Sequence, residues 1–460
     1  SWEGIKGNLA RATASKPEFT EGWALYCELM MKELERLGVD VRLNSIAWGL
    51  FEGGRIGVST EGRTYLVEAD RVILACGAIE RALAFPGWTA PGVMGAGAVQ
   101  TLMNLHRVLP GKRALMVGAG NVGLIVSYQI IQAGGEVAAV IDSATQIGGY
   151  YVHAAKLRRM GVPILTSHTV VEAKGKPVEA AVIAETDGKG NPIPGTEREI
   201  EVDLICIAVG LQPLTELAEM AGCRMIFRNG TLIPKVDEEM RTSLPWLYAA
   251  GDMSGIGEAS ISMEQGRIAG ISAAKSLGAI SEGEAEELID RARGRLRELT
   301  EPIPPPEPLP EPSLRDLPER PVPVIDCPQR IPCNPCEDLC PAGAIRVGSP
   351  ITNLPRVDYD KCVGCGICVA GCPGLAIRLV NKGFSETTAS VTLPYELLPV
   401  PREGQLVEAL DEEGRPICQA RVIRVLEREG FDRTRLVTLE VDKALALRVR
   451  NLRVSGGGTR

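Results

Sequence analysis

Eight of the thirteen cysteines in this chain of 460 residues lie in two short runs. The first run comprises Cys327, Cys333, Cys336 and Cys340. The second run comprises Cys362, Cys365, Cys368 and Cys372. A proline follows the last cysteine of each run. Thiolates are the usual ligands of iron–sulfur clusters, and gaps of two or three residues let one segment wrap around a cluster. The two runs therefore predict redox centres that carry single electrons.

The second run has the spacing C-x2-C-x2-C-x3-C-P, which resembles bacterial ferredoxins, where the fourth cysteine binds the other of two clusters. We therefore expect two [4Fe–4S] clusters that exchange their fourth ligands. One should be bound by Cys327, Cys333, Cys336 and Cys372. The other should be bound by Cys340, Cys362, Cys365 and Cys368. Five residues separate Cys327 from Cys333, where two are usual, so this loop should depart from the ferredoxin geometry.

Two other uses of these cysteines are weaker alternatives. Structural zinc sites with four cysteines need two pairs each, whereas these runs form interleaved quartets that each end in Cys-Pro. Disulfide frameworks are typical of small secreted domains, and this chain is long enough for several domains with their own cores.

A glycine-rich turn follows the apolar segment KRALMV and precedes a helical pattern. Its residues are Gly118, Ala119, Gly120, Asn121, Val122 and Gly123. In a dinucleotide-binding turn, Gly118 permits the tight turn, Gly120 lets the backbone approach a pyrophosphate, and Gly123 lets the helix pack on the strand. The unpaired N–H groups at the helix N-terminus favour the phosphates. This order of strand, turn and helix makes the motif more specific than the glycines alone.

Asp142 closes the strand pattern EVAAVID that follows this helix. An acidic side chain at this position binds a ribose 2′-hydroxyl and repels a 2′-phosphate, so NAD is favoured over NADP. The site is also compatible with another adenine nucleotide. The alternative is a strand–helix–strand unit whose site binds nothing.

Three further strand patterns end at glycine. VILACGA ends at Gly77 and Ala78, ICIAVG ends at Gly210, and LYAAGD ends at Gly251 and Asp252. A helical segment with small residues on one face follows, and Gln265 lies near its beginning. Each signal is common by itself, and the alternative role for Asp252 is a helix or turn cap.

The order of these motifs from residue 70 to 275 resembles flavoproteins with two dinucleotide-binding domains. More narrowly, it resembles the electron-transfer subunits of heteromeric amino-acid and amine dehydrogenases, such as L-proline dehydrogenase, sarcosine oxidase, opine oxidase and hydrogen cyanide synthase. The resemblance implies that the chain passes the flavin at Gly77, Ala78 and Gly210. It also implies that Asp252 of the Gly251–Asp252 pair binds the ribityl or pyrophosphate part of FAD. The helix that follows should point its N-terminal turn at the flavin ring, and Glu264, Gln265 and Gly266 should lie in that turn.

The sequence departs from this family in two ways that affect the expected cofactors. The relatives often carry a [2Fe–2S] centre, whereas this chain has the pattern of two [4Fe–4S] clusters. They also begin with a first G-x-G-x-x-G that holds the ADP half of FAD, and this sequence has no such motif before residue 70. We therefore expect a small partner subunit to complete the FAD domain, so that FAD is shared between two chains.

The predicted fold class is α/β, an incomplete flavoprotein with two dinucleotide-binding domains, plus a ferredoxin-like domain and a small C-terminal antiparallel β domain. The expected boundaries are as follows: FAD-type domain, 1–110 and 211–280; NAD-type domain, 111–210; helix and proline-rich linker, 281–322; ferredoxin domain, 323–382; β domain, 383–460. A helix is expected over residues 17–37 and is followed by a meander of short strands in VDVRLNSIAWGLFE, RIGVST and TYLVEA. A β-rich pattern is expected over 163–210, a charged surface helix over 282–299, and alternating strands over the last 75 or so residues.

The composition of the chain argues against several other classes of protein. The net charge of −8, without basic or aromatic clusters, argues against nucleic-acid binding. No apolar run approaches the ~20 residues of a membrane span, and no secretion signal is evident at the start, so we expect the cytoplasm. Cluster cysteines and scattered single cysteines also suit a reducing compartment.

We expect an electron-transfer subunit within a hetero-oligomer, in which a second, FAD-containing subunit oxidises an amino acid or amine. No catalytic side chain is expected in this chain, and His106, His153 and His168 are interpreted as structural. Two alternatives stay open. One is an NADH-linked flavin oxidoreductase that exchanges electrons with the clusters, and the other is a non-catalytic scaffold that docks the ferredoxin module.

Overall fold

The computed structural model describes residues 30–309, 312–431 and 433–454. The chain divides into two compact units, which the following paragraphs take separately. The first comprises Leu34–Arg81 and Gly210–Pro302, and the second comprises Ala82–Val209 and Ile303–Arg460. The helix expected over residues 17–37 is present from 30 to 36, and its earlier part lies outside the described residues. Within the described ranges, no helix is both long and apolar enough to cross a membrane.

Short strands build the first unit. The predicted meander is confirmed as three antiparallel strands, Ser45–Phe51, Arg55–Thr60 and Arg63–Glu68. Val72–Leu74 and Leu247–Ala249 pair in parallel. Two antiparallel pairs complete the strands: Ala78–Glu80 with Leu211–Pro213, and Met225–Arg228 with Thr231–Pro234. Leu50, Leu74, Leu247 and Met253 form the centre of a buried core.

Helices of the first unit follow its strands. Their bounds are Glu216–Met220, Ala259–Ser276 and Glu282–Thr300, with a 3-10 turn at Gly251–Ser254. Ser281 caps the predicted charged helix by accepting a hydrogen bond from the backbone N–H of Glu284. Ile289 and Ala292 of this helix pack with Ile268 and Ala269 of the preceding one, so its apolar stripe is buried.

A five-stranded parallel sheet forms the nucleotide-binding half of the second unit. Its order is Val93–Gly95, Leu204–Ile207, Arg113–Val117, Glu136–Asp142 and Ile164–Thr166. The helices are Ala96–His106, Asn121–Gln132 and Tyr151–Arg158. Met116 and Leu115 face opposite buried cores, as a parallel sheet covered on both sides requires. The boundary expected at residue 111 falls inside this unit, because Val93–Gly95 pairs with Leu204–Ile207.

A three-stranded antiparallel sheet packs on this half. Its strands are His168–Lys174, Ala180–Glu185 and Arg198–Glu201. Val170 and Ile183 of this sheet share a core with Leu115 and Ile205 of the parallel sheet. The β-rich pattern after residue 163 is thereby confirmed as part of the nucleotide-binding half.

The cysteine runs and the C-terminal strands share one antiparallel sheet. Its order is Val322–Ile325, Ile377–Asn381, Thr388–Tyr395, Arg435–Asp442, Pro416–Leu426, Leu406–Leu410 and Asn451–Arg453. The expected boundary at residue 383 falls within this sheet, because Ile377–Asn381 pairs with Thr388–Tyr395 across it. The two strands that flank the cysteine runs are therefore held in place by the C-terminal strands.

Smaller elements complete this half. Between the flanking strands lie the helices Pro335–Asp338 and Ile367–Ala370 and the paired strands Ile345–Arg346 and Arg356–Val357. Three 3-10 turns lie at Leu314–Asp316, Glu429–Phe431 and Lys443–Leu445. Each short helix lies in or beside a cysteine run, so the runs are wound into the tight turns that cluster binding requires.

Candidate functional site

The second quartet, which we define as Cys340, Cys362, Cys365 and Cys368, lines one common cavity. Cys368 lies in the helix Ile367–Ala370 and is buried. Burial raises the pKa of its thiol to about 12, and the charges of the other three thiols of the quartet add to this rise. The structure therefore brings a cysteine of the first run together with three of the second.

The first quartet, which we define as Cys327, Cys333, Cys336 and Cys372, also lies together. Burial raises the pKa of the Cys327 thiol to about 12, with contributions from Cys372 and Cys336. The pKa of Cys336 rises to about 11 for the same reasons, burial first and then Cys372. Cys333 belongs to the same apolar cluster as Cys327 and Cys372. The structure thus places Cys340 with three cysteines of the second run and Cys372 with three cysteines of the first.

The chemistry of both quartets fits iron–sulfur clusters. All described cysteines are free of disulfides. Backbone N–H groups donate to sulfur at 3.2 Å from Ala344 to Cys340, and at 3.4 Å from Ala376 to Cys372. Such bonds favour the thiolate form that iron needs. In the described part of the chain, no three acidic, cysteine or histidine groups converge closely enough to hold a single metal ion. A cubane binds its four thiolates through four different irons, so its ligands stand farther apart.

The long loop between Cys327 and Cys333 has a structural use that sequence inspection missed. Its residue Gln329 accepts a hydrogen bond at 2.7 Å from the backbone N–H of Tyr151, at the start of a helix in the nucleotide-binding half. Gln329 also donates to the Pro304 carbonyl in the linker at 3.1 Å. The extra residues therefore attach the first quartet to two neighbouring segments.

The glycine-rich turn lies between Arg113–Val117 and the helix Asn121–Gln132. Gly118 has φ +114°, and a Cβ there would lie 2.2 Å from the Ala208 carbonyl oxygen. A Cβ on Gly123 would lie 2.0 Å from the Gly118 carbonyl oxygen. A Cβ on Gly120 would meet no atom within 4 Å. Two glycines are therefore required by the protein itself, whereas a Cβ at Gly120 would point into open space.

Asp142 braces the glycine-rich turn. Its carboxylate accepts hydrogen bonds from the backbone N–H groups of Ala119, at 2.7 Å, and Ala144, at 2.9 Å. Each carboxylate oxygen has a second lone pair, so a ribose hydroxyl can still be bound. Because both bonds are made within the chain, Asp142 has a structural role beside the predicted binding role.

The glycine-rich turn is connected to the first quartet through one short segment. Asn121 Oδ1 accepts a hydrogen bond at 2.7 Å from the backbone N–H of Tyr150. Tyr150 and the buried Val152 pack in the same apolar cluster as Cys327 and Cys372. Lys156, on the helix Tyr151–Arg158, donates to the carbonyl of Pro373 at 3.3 Å. The nucleotide-binding half thus forms one wall of the first quartet.

His153 on this helix gives a pH-dependent stability. Burial lowers its pKa to about 3, and Lys156 adds to this shift. An unfolded histidine binds its proton near pH 6.5, so the unfolded state binds more protons below that pH. We expect this group to cost the second unit about 1 kcal/mol of unfolding free energy between pH 7.5 and 5.5. Urea unfolding of His153→Gln should lack this part of the acid destabilisation. An unchanged pH dependence in the variant would contradict the assignment.

The predicted flavin-side residues all lie in the first unit. Gly77 has φ +74°, a Cβ placed on it would meet no atom within 4 Å, and its carbonyl accepts from Leu214 N–H at 3.0 Å. Ala78 begins the strand that pairs with Leu211–Pro213, and the Gly210 carbonyl accepts from Arg81 N–H. The first glycine turn therefore leaves room for a ligand.

The Gly251–Asp252 turn is held by the helix that follows it. Gln265 Oε1 accepts hydrogen bonds from the backbone N–H of Gly251, at 2.9 Å, and from the Ser254 hydroxyl, at 3.2 Å. Asp252 Oδ1 accepts from Gly257 N–H at 3.3 Å. Gln265 thus orients the turn, and the half-buried Asp252 carboxylate retains acceptor capacity for a ligand hydroxyl.

The placement of Glu264 and Gln265 at the N-terminal turn of their helix was wrong. The helix begins at Ala259, so these residues lie in its second turn. The apolar–polar pattern of residues 259–262 continues the helix toward Glu258, and this signal could have located its true start. Glu264 is buried and pairs with Arg267 and, at 2.8 Å, with Arg295 of the following helix. It therefore ties two helices together.

Comparisons with known proteins found two protein families that match different parts of the chain. Residues 7–277 match a family model described as pyridine nucleotide-disulphide oxidoreductase, and residues 329–376 match one described as 4Fe-4S dicluster domain. An opine oxidase subunit of Rhizobium meliloti is 30% identical over 238 residues, which is 49% of this chain and 45% of that protein. Hydrogen cyanide synthase subunit HcnB of Pseudomonas aeruginosa is 30% identical over 286 residues, covering 57% of this chain and 60% of that protein.

The chain thus spans about half the length of the relatives it matches. Among solved structures, L-proline dehydrogenase from P. horikoshii is 20% identical with a TM-score of 0.43, covering 65% of this chain and 57% of that chain. The dicluster match begins after Cys327, so it includes seven of the eight cysteines of the two runs.

Proposed function

Because the chain belongs to the pyridine nucleotide-disulphide oxidoreductase family, we propose that it is the electron-transfer subunit of a heteromeric amino-acid or amine dehydrogenase. A partner chain would oxidise the substrate, and this chain would relay electrons through two [4Fe–4S] clusters. The observation that carries the proposal is the pair of interleaved cysteine quartets, one of which is linked through Tyr150 to the glycine-rich turn. Relatives that are themselves subunits of oxidases support it.

The proposed roles follow from the positions of the residues. The first and second quartets would each bind one cluster, Asp142 and the Gly118–Gly123 turn would bind an adenine nucleotide, and Asp252 would bind FAD. Bound flavin accepts electron pairs and the clusters pass electrons singly. The chain's own residues would bind and orient these groups, and the apolar packing around the partly buried Cys327 and Cys372 would limit the access of water to a cluster held there.

Sharing of FAD with a small partner chain is part of the proposal. In the described residues, Val72–Leu74 and Leu247–Ala249 form a parallel sheet of two strands only. Parallel sheets are normally larger and covered on both faces, and here Ile73 is 41% exposed. We expect a further strand, supplied with the ADP-binding turn, to cover this region. A full complement of FAD in this chain purified alone would contradict the sharing.

The decisive test uses the complex purified from its native source with all of its chains. Native mass spectrometry should identify a substrate-oxidising chain together with this one. Anaerobic mixing with amino acids and secondary amines, L-proline and sarcosine among them, should bleach the visible absorbance of the clusters within one turnover. If no such substrate reduces the clusters in the complex, the proposal is wrong.

A second function is favoured by one observation. The connection from Asn121 through Tyr150 to the first quartet suits an oxidoreductase that exchanges electrons between NADH and the clusters through a flavin. In that case NADH would reduce the clusters without any substrate-oxidising chain. The same mixing experiment separates the two functions when NADH is the reductant and the sample is this chain together with the small chain that completes its FAD site.

A further inference from the structure

A cavity of about 410 Å³ lies in the second unit, beside the first quartet, since Asp326 and Pro328 on either side of Cys327 line it, and no cysteine of either quartet is part of its lining. Its volume is within the range of pockets for small organic ligands. One side is apolar and is formed by Pro306, Pro308, Leu309, Ile325 and Leu447. The other side is polar and is formed by Tyr151, Asp326, Arg378, Glu412 and Arg450. A ligand with one charged end and one hydrocarbon end matches this division.

The polar side belongs to a cluster of ion pairs with one positive charge in excess, which includes Arg159 behind the lining residue Glu412. Arg450 Nε lies 3.2 Å from Asp326 Oδ2 and 3.3 Å from Glu412 Oε2. Arg378 also pairs with Asp326, and Arg159 pairs with Glu412 at 3.1 Å. Three guanidinium groups therefore share two carboxylates, which leaves one positive charge. Glu307 also lines the cavity, but its pairing with Arg330 at 2.6 Å adds no net charge.

Two arginine nitrogen atoms in this cluster of charges have no hydrogen-bond acceptor in the part of the chain that the structure describes. Arg378 Nε and Arg159 Nη2 are buried and make no hydrogen bond within the described residues. Burial lowers the pKa of Arg378 to about 10, and Arg450 and Arg159 add to this shift against the opposing effect of Asp326. An uncompensated buried charge is costly, so a bound anion would stabilise the arrangement.

We propose that this cavity binds a small monocarboxylate with a compact hydrocarbon body. Its carboxylate pairs with Nη2 of Arg450, the more accessible of the two arginines that line the cavity, because Nε faces Asp326 and Glu412 and Nη1 donates to the Leu447 carbonyl. Its hydrocarbon part packs against Pro306, Pro308 and Leu447. A dianion is disfavoured, because only one positive charge is in excess and the carboxylates of Asp326 and Glu412 line the same cavity. A cation is disfavoured by the net charge itself.

Calorimetric titration of the full chain, with its clusters loaded, tests the ligand class. Isovalerate is the probe, and isoamylamine and inorganic phosphate are the comparators. We expect saturable binding of one isovalerate per chain, at least tenfold weaker binding of phosphate, and no binding of the amine. Failure of isovalerate to saturate at about 10 mM, or equal binding of phosphate, would overturn the proposal.

Three variants test the location. Arg450→Gln should weaken isovalerate binding at least tenfold, about the effect of losing a hydrogen bond to a charged group. Leu447→Trp should do the same by filling the cavity without changing its charge, so it decides the matter if Arg450→Gln does not fold. Arg415→Gln, which removes an exposed arginine outside the cavity, should leave binding unchanged. Unchanged binding in folded Leu447→Trp would place the ligand elsewhere and overturn the proposal.

Discussion

Replacement of Cys365 by serine should lower the iron content of the chain from about eight atoms to about four and stop electron flow from substrate to an artificial acceptor. Cys365 lies in the second quartet beside the buried Cys368, and its loss removes one of four protein ligands. Substrate binding on the partner chain should be unchanged, because the substitution alters only a cluster ligand and no residue of that chain. Iron analysis and dye reduction by the purified complex measure both effects.

The same experiment tests the exchange of ligands between the runs. Cys340→Ser changes the first run, yet it should remove the same cluster signal as Cys365→Ser in electron paramagnetic resonance spectra. Cys372→Ser changes the second run and should remove the other signal. Cys418→Ser is the matched control, because Cys418 lies in the C-terminal sheet outside both quartets. About two irons per chain in the parent protein, or stoichiometric zinc, would contradict the cluster assignment.

Local patterns predicted much of the fold. The meander at residues 45–68, the strand before Gly118, the helix after it and the C-terminal strands all occur where alternation and helical periodicity placed them. The cysteine spacing also predicted that Cys340 and Cys372 would change partners between the runs. Each of these features is encoded in residues that lie close together in the sequence, or in a motif whose chemistry requires one geometry.

Features that depend on pairing between distant segments were not predictable. Val93–Gly95 has three residues, too few to show the alternation of apolar and polar side chains that indicates a strand. It nevertheless joins the parallel sheet beside Leu204–Ile207. Thr388–Tyr395 extends the sheet that frames the cysteine runs, because its partner Ile377–Asn381 offers a free edge. Nothing in the spacing of Cys327 and Cys333 indicated that Gln329 would contact a helix about 180 residues earlier.

The sequence predicted a glycine-rich turn. Only the structure shows which of its glycines are needed for packing inside the protein and which is not. Gly118 and Gly123 are demanded by contacts inside the protein, whether or not a ligand binds. Gly120 has φ −74° and ψ 174°, a conformation that any residue adopts, and the space beside it is open. Only Gly120 therefore reports on the ligand without the complication of steric strain in the folded chain.

Gly120→Val should abolish nucleotide binding and leave the fold intact. The valine side chain would occupy the space into which a pyrophosphate must come close to the backbone. We expect the affinity for NAD or another adenine nucleotide to fall at least about 100-fold, from steric exclusion of the phosphates. The free energy of unfolding without nucleotide should change by no more than about 0.5 kcal/mol, because a Cβ at this position meets no atom within 4 Å.

Gly123→Val is the matched control for Gly120→Val, with the same side chain placed three residues along the turn. Its Cβ would lie 2.0 Å from the Gly118 carbonyl oxygen, so it should destabilise the second unit by several kcal/mol, about the cost of severe overpacking. Urea unfolding and chromatography of released nucleotide separate the two effects. If Gly120→Val retains its nucleotide while Gly123→Val unfolds, the turn is required for packing alone, and a nucleotide bound by this chain must lie outside the Asp142 site.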